Sequence, residues 1–192
     1  MKRVALLLFL ASWLAPLASA QDHVQVGAYA DYFRISQTNT NMAGLGARAG
    51  VKALSHVMLE GEMNYDFEQA FTEGFTNRST GVVTFQRSNL RVLHGLFGPK
   101  LIAGHGAIRP FLMLKGGFIN FRLDPRAVTG TTITSSIENL RANNVSGTLY
   151  PGAGLEGHIG PVGLRLEAGD EMYFASGTHH NPRVAFGPFI RF

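Results

Sequence analysis

The sequence predicts an all-β fold: eight antiparallel strands, closed up-and-down into a barrel that crosses a membrane. Three observations carry this. First, Arg183–Phe192 alternates with a period of two. Val184, Phe186, Ile190 and Phe192 share one parity, and Arg183, Ala185, Gly187, Phe189 and Arg191 the other. That is a strand with one apolar and one mixed face, and Gly187-Pro188 would break a helix. Second, the connections between alternating stretches are by turns short and long. Third, charged residues gather on one parity of several strands, while the other parity is apolar and poor in charge.

Before these strands, residues 1–20 read as a secretory signal peptide. Lys2 and Arg3 give a basic start, Val4 to Leu14 an apolar core, and Ala18-Ser19-Ala20 a small-residue cleavage site. The expected domains are therefore 1–20, removed, and 21–192, one barrel beginning at Gln21. No later run of about 18 apolar residues is present, so no spanning helix is predicted. There is no cysteine, which leaves neither disulfide nor thiolate chemistry. Glycine accounts for 23 of 192 residues, well above the usual ~7%. That excess suits crowded or tightly turning backbone. The formal charge is +4, falling to +2 without Lys2 and Arg3. So weak an excess is no footprint of nucleic-acid binding.

Strand one is predicted at His23–Ile35, with Val24, Val26, Ala28, Ala30 and Tyr32 opposite Gln25, Gly27, Tyr29 and Asp31. A polar loop, Ser36–Asn41, follows. Strand two, Met42–Ala53, sets Leu45, Ala47, Ala49 and Val51 against Gly46, Arg48, Gly50 and Lys52. After a tight turn at Leu54-Ser55, strand three runs Val57–Phe67. It puts Leu59, Met63 and Tyr65 on one face and Glu60, Glu62, Asn64 and Asp66 on the other. Adjacent carboxylates on one face need cations opposite them. Gln69–Arg87 reads as a long polar loop. Strand four, Ser88–Leu101, groups Leu90, Val92 and Leu96 with Arg91 but alternates poorly. Gly104-His105-Gly106 marks a turn.

Strand five, Arg109–Arg122, sets Leu112, Leu114 and Phe118 against Met113 and Lys115. Leu123–Val145 is the longest predicted loop, with a short helix at Ser135–Arg141. Strand six, Gly147–His158, carries Glu156 on its polar parity. Gly160-Pro161 turns the chain into strand seven, Val162–Phe174, where Arg165 and Glu167 face away from Leu164 and Leu166. Ala175–Pro182 is a predicted polar loop before strand eight.

Connections after strands one, three, five and seven are long or polar, and those after two, four and six are short. Transmembrane barrels have this asymmetry, with the short turns periplasmic. The N-terminus is then expected on the periplasmic side. Aromatic residues sort toward strand ends. Tyr32, Tyr65, Phe67, Phe118, Phe121, Tyr150, Tyr173, Phe174 and Phe186 lie at one level, and Phe97, Phe111, Phe189 and Phe192 at the other. Two headgroup girdles are the expectation. The interior of eight strands is just wide enough for side chains to fill it. The expected filling is a network of acids and bases: Arg48, Glu60, Glu62, Arg91, Lys115, Glu156, Arg165 and Glu167. A soluble lipocalin-like barrel is the architectural alternative, but it would carry its apolar residues inside.

The signal peptide, alternating loop lengths, Gly-rich strands and the ending Gly187…Ile190-Arg191-Phe192 resemble the small outer-membrane β-barrels of the outer-membrane protein A and X type, over essentially the whole mature chain. In that family the terminal strand ending on an aromatic residue is an assembly signal. Gly187, Ile190 and Phe192 fit it, and Ala185 stands where a polar residue is usual. The resemblance implies residence in a bacterial outer membrane, contact with outer-membrane lipid, delivery by the barrel-assembly machinery through the last strand, and surface loops open to an extracellular ligand. Outer-membrane protein A also carries a peptidoglycan-binding domain, a function not carried over to this chain.

No cofactor and no metal site is expected. His179-His180 are adjacent, point in different directions and have no third ligand near in sequence. His23, His56, His105 and His158 map to the periplasmic rim, where wet turns tolerate them. Some small outer-membrane barrels are lipid A deacylases, acyltransferases or proteases. The residues here with matching types are His179 or His180, Ser176, and Asp170 or Glu171. They crowd one loop without distinctive spacing. The expected function is thus non-enzymatic, in envelope integrity or surface interaction and adhesion. A lipid-modifying enzyme and a narrow porin are the alternatives. Gly44-x-Gly46 and Gly152-x-Gly154 lie within strands and are not phosphate loops. Their expected role is to relieve crowding in a narrow barrel.

Overall fold

Strand pairing around the chain has no free beginning or end in the computed structural model, which describes residues 23–76, 80–125, 145–175 and 177–192. The strands are β1 (Val24–Ile35), β2 (Thr40–Leu54), β3 (Val57–Thr76), β4 (Val83–Ile102), β5 (Ile108–Pro125), β6 (Val145–Ile159), β7 (Val162–Asp170), β8 (Met172–Phe174), β9 (Thr178–His179) and β10 (Pro182–Arg191). From β1 to β7 each pairs antiparallel with the next, β7 pairs with β10, and β1 closes on β10 with Val26 opposite Ile190. Both β7 and β8 pair with β6 and are two halves of one stave, interrupted at Glu171. The result is the predicted eight-stave antiparallel up-and-down barrel. The expected signal peptide and the Ser135–Arg141 helix fall outside the described residues.

Alternation decides which way each residue faces. In β1, Gln25, Tyr29, Asp31, Phe33 and Ile35 are buried, while Val26, Ala28, Ala30 and Tyr32 are exposed. The same two-residue period holds through β2, β3, β7 and β10. Charge is inside and apolar surface is outside. Val26, Leu45, Met63, Phe97, Leu112, Leu166 and Phe186 are between 46% and 61% exposed and follow one another around the wall. A soluble protein does not present so continuous an apolar band, and a lipid-facing barrel wall must. The lipocalin-like alternative fails on this inversion.

The aromatic residues follow the same parity rule, and it corrects the expected girdles. Phe121, Tyr150 and Tyr173 of the first set, and Phe111 and Phe189 of the second, are buried inside the barrel. Their strand positions share the inward parity of Lys115, Glu156 and Arg183. One outward girdle is present. Tyr65 pairs with Leu93, Phe118 with both Gly95 and Gly147, and Gly147 with Phe174, giving a row across β3, β4, β5, β6 and β8. Toward the opposite end Phe97 alone of the second set has an outward, strongly exposed ring among the described residues, and the outward residues nearest the rim are aliphatic: Leu54, Leu101, Ile108, Ile159 and Val162.

Residues 69–87 also differ from expectation. In place of a loop, β3 continues to Thr76 and β4 begins at Val83, with Phe71 opposite Ser88 and Thr76 opposite Val83. One extra residue between Asp66 and Gln69 shifts the register where this extension starts, as a bulge does. At about 3.4 Å per residue, 20 residues reach roughly 68 Å, whereas about 9–11 residues cross a bilayer. The hairpin therefore stands well clear of the membrane. The predicted Ala175–Pro182 loop contains the two-residue β9, which pairs with β8.

Two backbone features show what glycine does here. Gly160 has a φ of 60° and is followed by Pro161, so β6 turns into β7 across two residues. Gly46 has no strained torsion; its place is fixed by Tyr29, whose ring carbon Cζ lies 2.3 Å from where a Cβ would sit. Tyr29 fills the lumen only because Gly46 is beneath it. Gly46→Val should displace that ring and cost about 1–3 kcal/mol of barrel stability through overpacking. Urea unfolding in lipid vesicles measures it, and an unchanged midpoint would contradict this packing.

Candidate functional site in the barrel lumen

The inward parities of all the staves meet in the lumen, and the strand registers stack their side chains in layers along its length. The layer nearest the chain termini holds Gln25, Lys100, Arg109 and Glu156. Lys100 Nζ donates to Gln25 Oε1 at 2.6 Å and to Glu156 Oε2 at 3.1 Å, and Arg109 Nη2 donates to Glu156 Oε1 at 2.8 Å.

The next layer is the densest. Glu60 accepts from Lys115 at 2.6 Å and from Arg165 at 2.5 Å, with Lys100 3.4 Å away. Glu62 accepts from Lys115 at 2.5 Å and from Arg183 at 2.8 Å. Glu167 accepts from Arg48 at 2.5 Å and from Arg165 at 2.6 Å. Strand period explains why these acids sit together. Glu60 and Glu62 are two apart on β3, so both point inward one step apart. Aromatic rings pack against the guanidinium groups. Arg48 lies 4.0 Å from the Tyr29 ring centroid and Arg165 4.3 Å from that of Phe111.

Farther along, Arg183 gathers three carboxylates: Asp31 at 3.0 Å, Glu62 at 2.8 Å and Glu171 at 3.3 Å. It also donates to the Tyr29 hydroxyl at 3.0 Å. Beside it, His94 bridges Asp66 through Nε2 at 2.6 Å and Glu171 through Nδ1 at 2.7 Å. Carboxylates only accept, so two of them at once suit a ring with a proton on each nitrogen. Asn64 Nδ2 ties Asp31 to Asp66. Above this the lumen turns apolar. Phe33, Ile35, Met42, Leu90, Val92, Ile119, Phe121, Tyr173 and Ala175 form one buried cluster, each at most 5% exposed.

Of the residues expected in the lumen, Arg48, Glu60, Glu62, Lys115, Glu156, Arg165 and Glu167 are buried there. Arg91 is not. Its odd parity on β4 turns it outward, where it meets Glu68 at 2.9 Å with both side chains over a third exposed. The inward positions of β4 are instead Leu90, Val92, His94, Leu96 and Lys100. Lys52, grouped with the polar face of strand two, is exposed at the rim. His94, Lys100 and Glu171 complete the network without having been singled out for it. The two-residue step from Leu96 is the signal that reaches His94 and Lys100. It is masked in the sequence because Leu93 and Phe97 make the outward parity apolar as well.

The residues matching an enzyme are divided. His180 Nδ1 meets Asp170 Oδ2 at 2.5 Å at the exposed rim. His179 instead faces Gln37 and the Ala175 carbonyl oxygen, and lies 4.8 Å from the Tyr173 ring. Glu171 is committed to His94 and Arg183 inside the lumen. Ser176 lies outside the described residues. Ser36 lies beside the His180–Asp170 pair, but its hydroxyl donates to the His180 backbone carbonyl oxygen and not to the imidazole. In the terminal strand, Gly187 points inward against Tyr29, Ile190 faces outward, and the Phe192 backbone pairs with Val24.

A closed eight-stave wall with an apolar exterior and a charged interior defines a small transmembrane β-barrel. Solved structures share this fold. One is Ail, the attachment invasion locus protein of Yersinia pestis, determined in complex with the heparin analogue sucrose octasulfate. It has 13% identity and a TM-score of 0.52, over 90% of this chain and 98% of that one. Another is Neisserial surface protein A, with 11% identity and a TM-score of 0.55, over 88% of this chain and 96% of that one. At such identities the likeness is one of fold. No protein-family model and no curated protein matches the sequence.

Proposed function

We propose that this chain is an integral outer-membrane protein whose lumen is a structural filling, and whose function lies in its exterior hairpins as a non-enzymatic surface for envelope integrity or adhesion. The observation that supports this best is the composition of the lumen along its axis. Layers of paired acids and bases lead to an apolar cluster at the far end. Water and ions need a continuous polar path, and the cluster interrupts one. Among the described residues the lumen side chains are engaged with one another, whereas the β3–β4 hairpin carries paired backbone far beyond the bilayer.

In this reading lipid surrounds the apolar band, the barrel-assembly machinery reads Gly187, Ile190 and Phe192 on β10, and the partner of the hairpins is an extracellular ligand. The short turns then face the periplasm, together with the N-terminus. Protease added to intact cells tests the topology. Cleavage should fall within residues 126–144, with the Leu54-Ser55 turn protected until the outer membrane is permeabilised. Cleavage at Leu54-Ser55 on intact cells would invert the orientation.

A further inference from the structure

We propose that the mouth of the barrel on the side of the chain termini is a binding site for a phosphate-bearing anion. A cavity of about 140 Å³ opens there, lined by Lys52, His56, His105, Arg109, His158 and Arg191 among others. These residues come from separate parts of the chain. Lys52 is near the end of β2, His56 in the β2–β3 turn, His105 in the β4–β5 turn, Arg109 at the start of β5, His158 near the end of β6, and Arg191 at the end of β10. Closure of the barrel brings them into one ring. Among the described residues no Asp or Glu lines the cavity.

Charge at this mouth differs from charge in the lumen. Inside, each cation meets carboxylates directly. At the mouth, Lys52 forms no ion pair among the described residues. The acid next in line is Glu156, which sits deeper and is shared between Arg109 at 2.8 Å and Lys100 at 3.1 Å. That contact pins Arg109 by its Nη2, while its buried Nε has no hydrogen-bond partner among the described residues. The imidazoles are held too. His158 Nδ1 accepts from Arg191 Nη2 at 2.7 Å, which places its proton on Nε2. His56 and His105 meet edge to face at 5.1 Å.

The donor set is therefore cationic and multidentate: Arg109 is held by Glu156, Arg191 by the Gly160 carbonyl oxygen and His158, and Lys52 is exposed beside them. A phosphate group matches it, with three acceptor oxygens and close to two negative charges, and Arg and Lys are its usual partners. Two sources carry that chemistry: a free phosphate or phosphate ester, and the headgroup of a phospholipid bordering the rim.

The test uses the mature chain refolded in a zwitterionic detergent and titrated calorimetrically with inorganic phosphate, against sodium chloride at equal ionic strength. Saturable binding specific to phosphate is expected, weakened at least tenfold in Arg109→Gln and in Lys52→Gln. Folding of each variant is checked by its mobility on unheated gels. Lys52 is exposed, so Lys52→Gln keeps the test valid if Arg109→Gln fails to fold. Repeating the titration in nanodiscs separates the sources. Weaker phosphate binding with phosphatidylglycerol than with phosphatidylcholine assigns the headgroup as occupant, and equal binding assigns a free phosphate. No saturable binding beyond chloride, or wild-type affinity in both variants, overturns the proposal.

Discussion

Arg183→Met should destabilise the refolded barrel by about 3–5 kcal/mol, the usual range for removing one partner of a buried ion pair. Arg183 is fully buried and, among the described residues, is the one cation within reach of Asp31, Glu62 and Glu171 together. Methionine fills much of its volume but donates nothing. Glu62 retains Lys115 and Glu171 retains His94, while Asp31 keeps, among the described residues, only the Asn64 amide. The exposed pair Arg91–Glu68 is the internal comparison. Arg91→Ala should cost no more than about 1 kcal/mol, because water screens and replaces that contact. Urea unfolding in lipid vesicles measures both, and equal losses for the two variants would mean that lumen water screens Arg183 as well.

Glu60→Ala should act on stability and on permeability together. Glu60 holds Lys115 and Arg165 directly, with Lys100 3.4 Å away. Lys115 keeps Glu62, Arg165 keeps Glu167 and Lys100 keeps Glu156, but one positive charge is left in excess in a confined space, at a cost of about 3–5 kcal/mol. The same loss loosens the filling, so brief small openings favouring anions are expected in bilayer recordings. The double variant Glu60→Gln, Lys115→Gln removes one charge of each sign and should recover part of the loss, since neighbouring sites couple. Strictly additive losses would show that the two side chains act independently.

Where one face of a strand is apolar and the other polar, the sequence shows the fold plainly. β1, β2, β3 and β10 alternate in this way, and their inward residues follow from parity alone. β4 does not, because both of its faces carry apolar side chains. The sequence therefore reads Arg91 as inward and gives no sign of His94, which lies three two-residue steps from Lys100 on the same face. The β3–β4 extension was hidden for a different reason. Beyond the bilayer neither face needs to be apolar, and pairing there rests on backbone hydrogen bonds that have no pattern in side-chain type. Which acid meets which base is decided by stagger around the closed wall. Arg48 and Glu167 are far apart in the chain, yet they meet at 2.5 Å. The ring at the mouth has the same origin: the sequence places His56, His105 and His158 at one rim, and closure of the barrel brings Lys52, Arg109 and Arg191 beside them.

Planar-bilayer recording of the wild-type monomer tests most directly whether the lumen is closed by its own side chains. Lysines and arginines locked against carboxylates, with an apolar cluster beyond them, should give a silent bilayer with no large, long-lived channel. A stable conductance on the nanosiemens scale from the monomer would mean an open interior and a porin in place of a filled barrel.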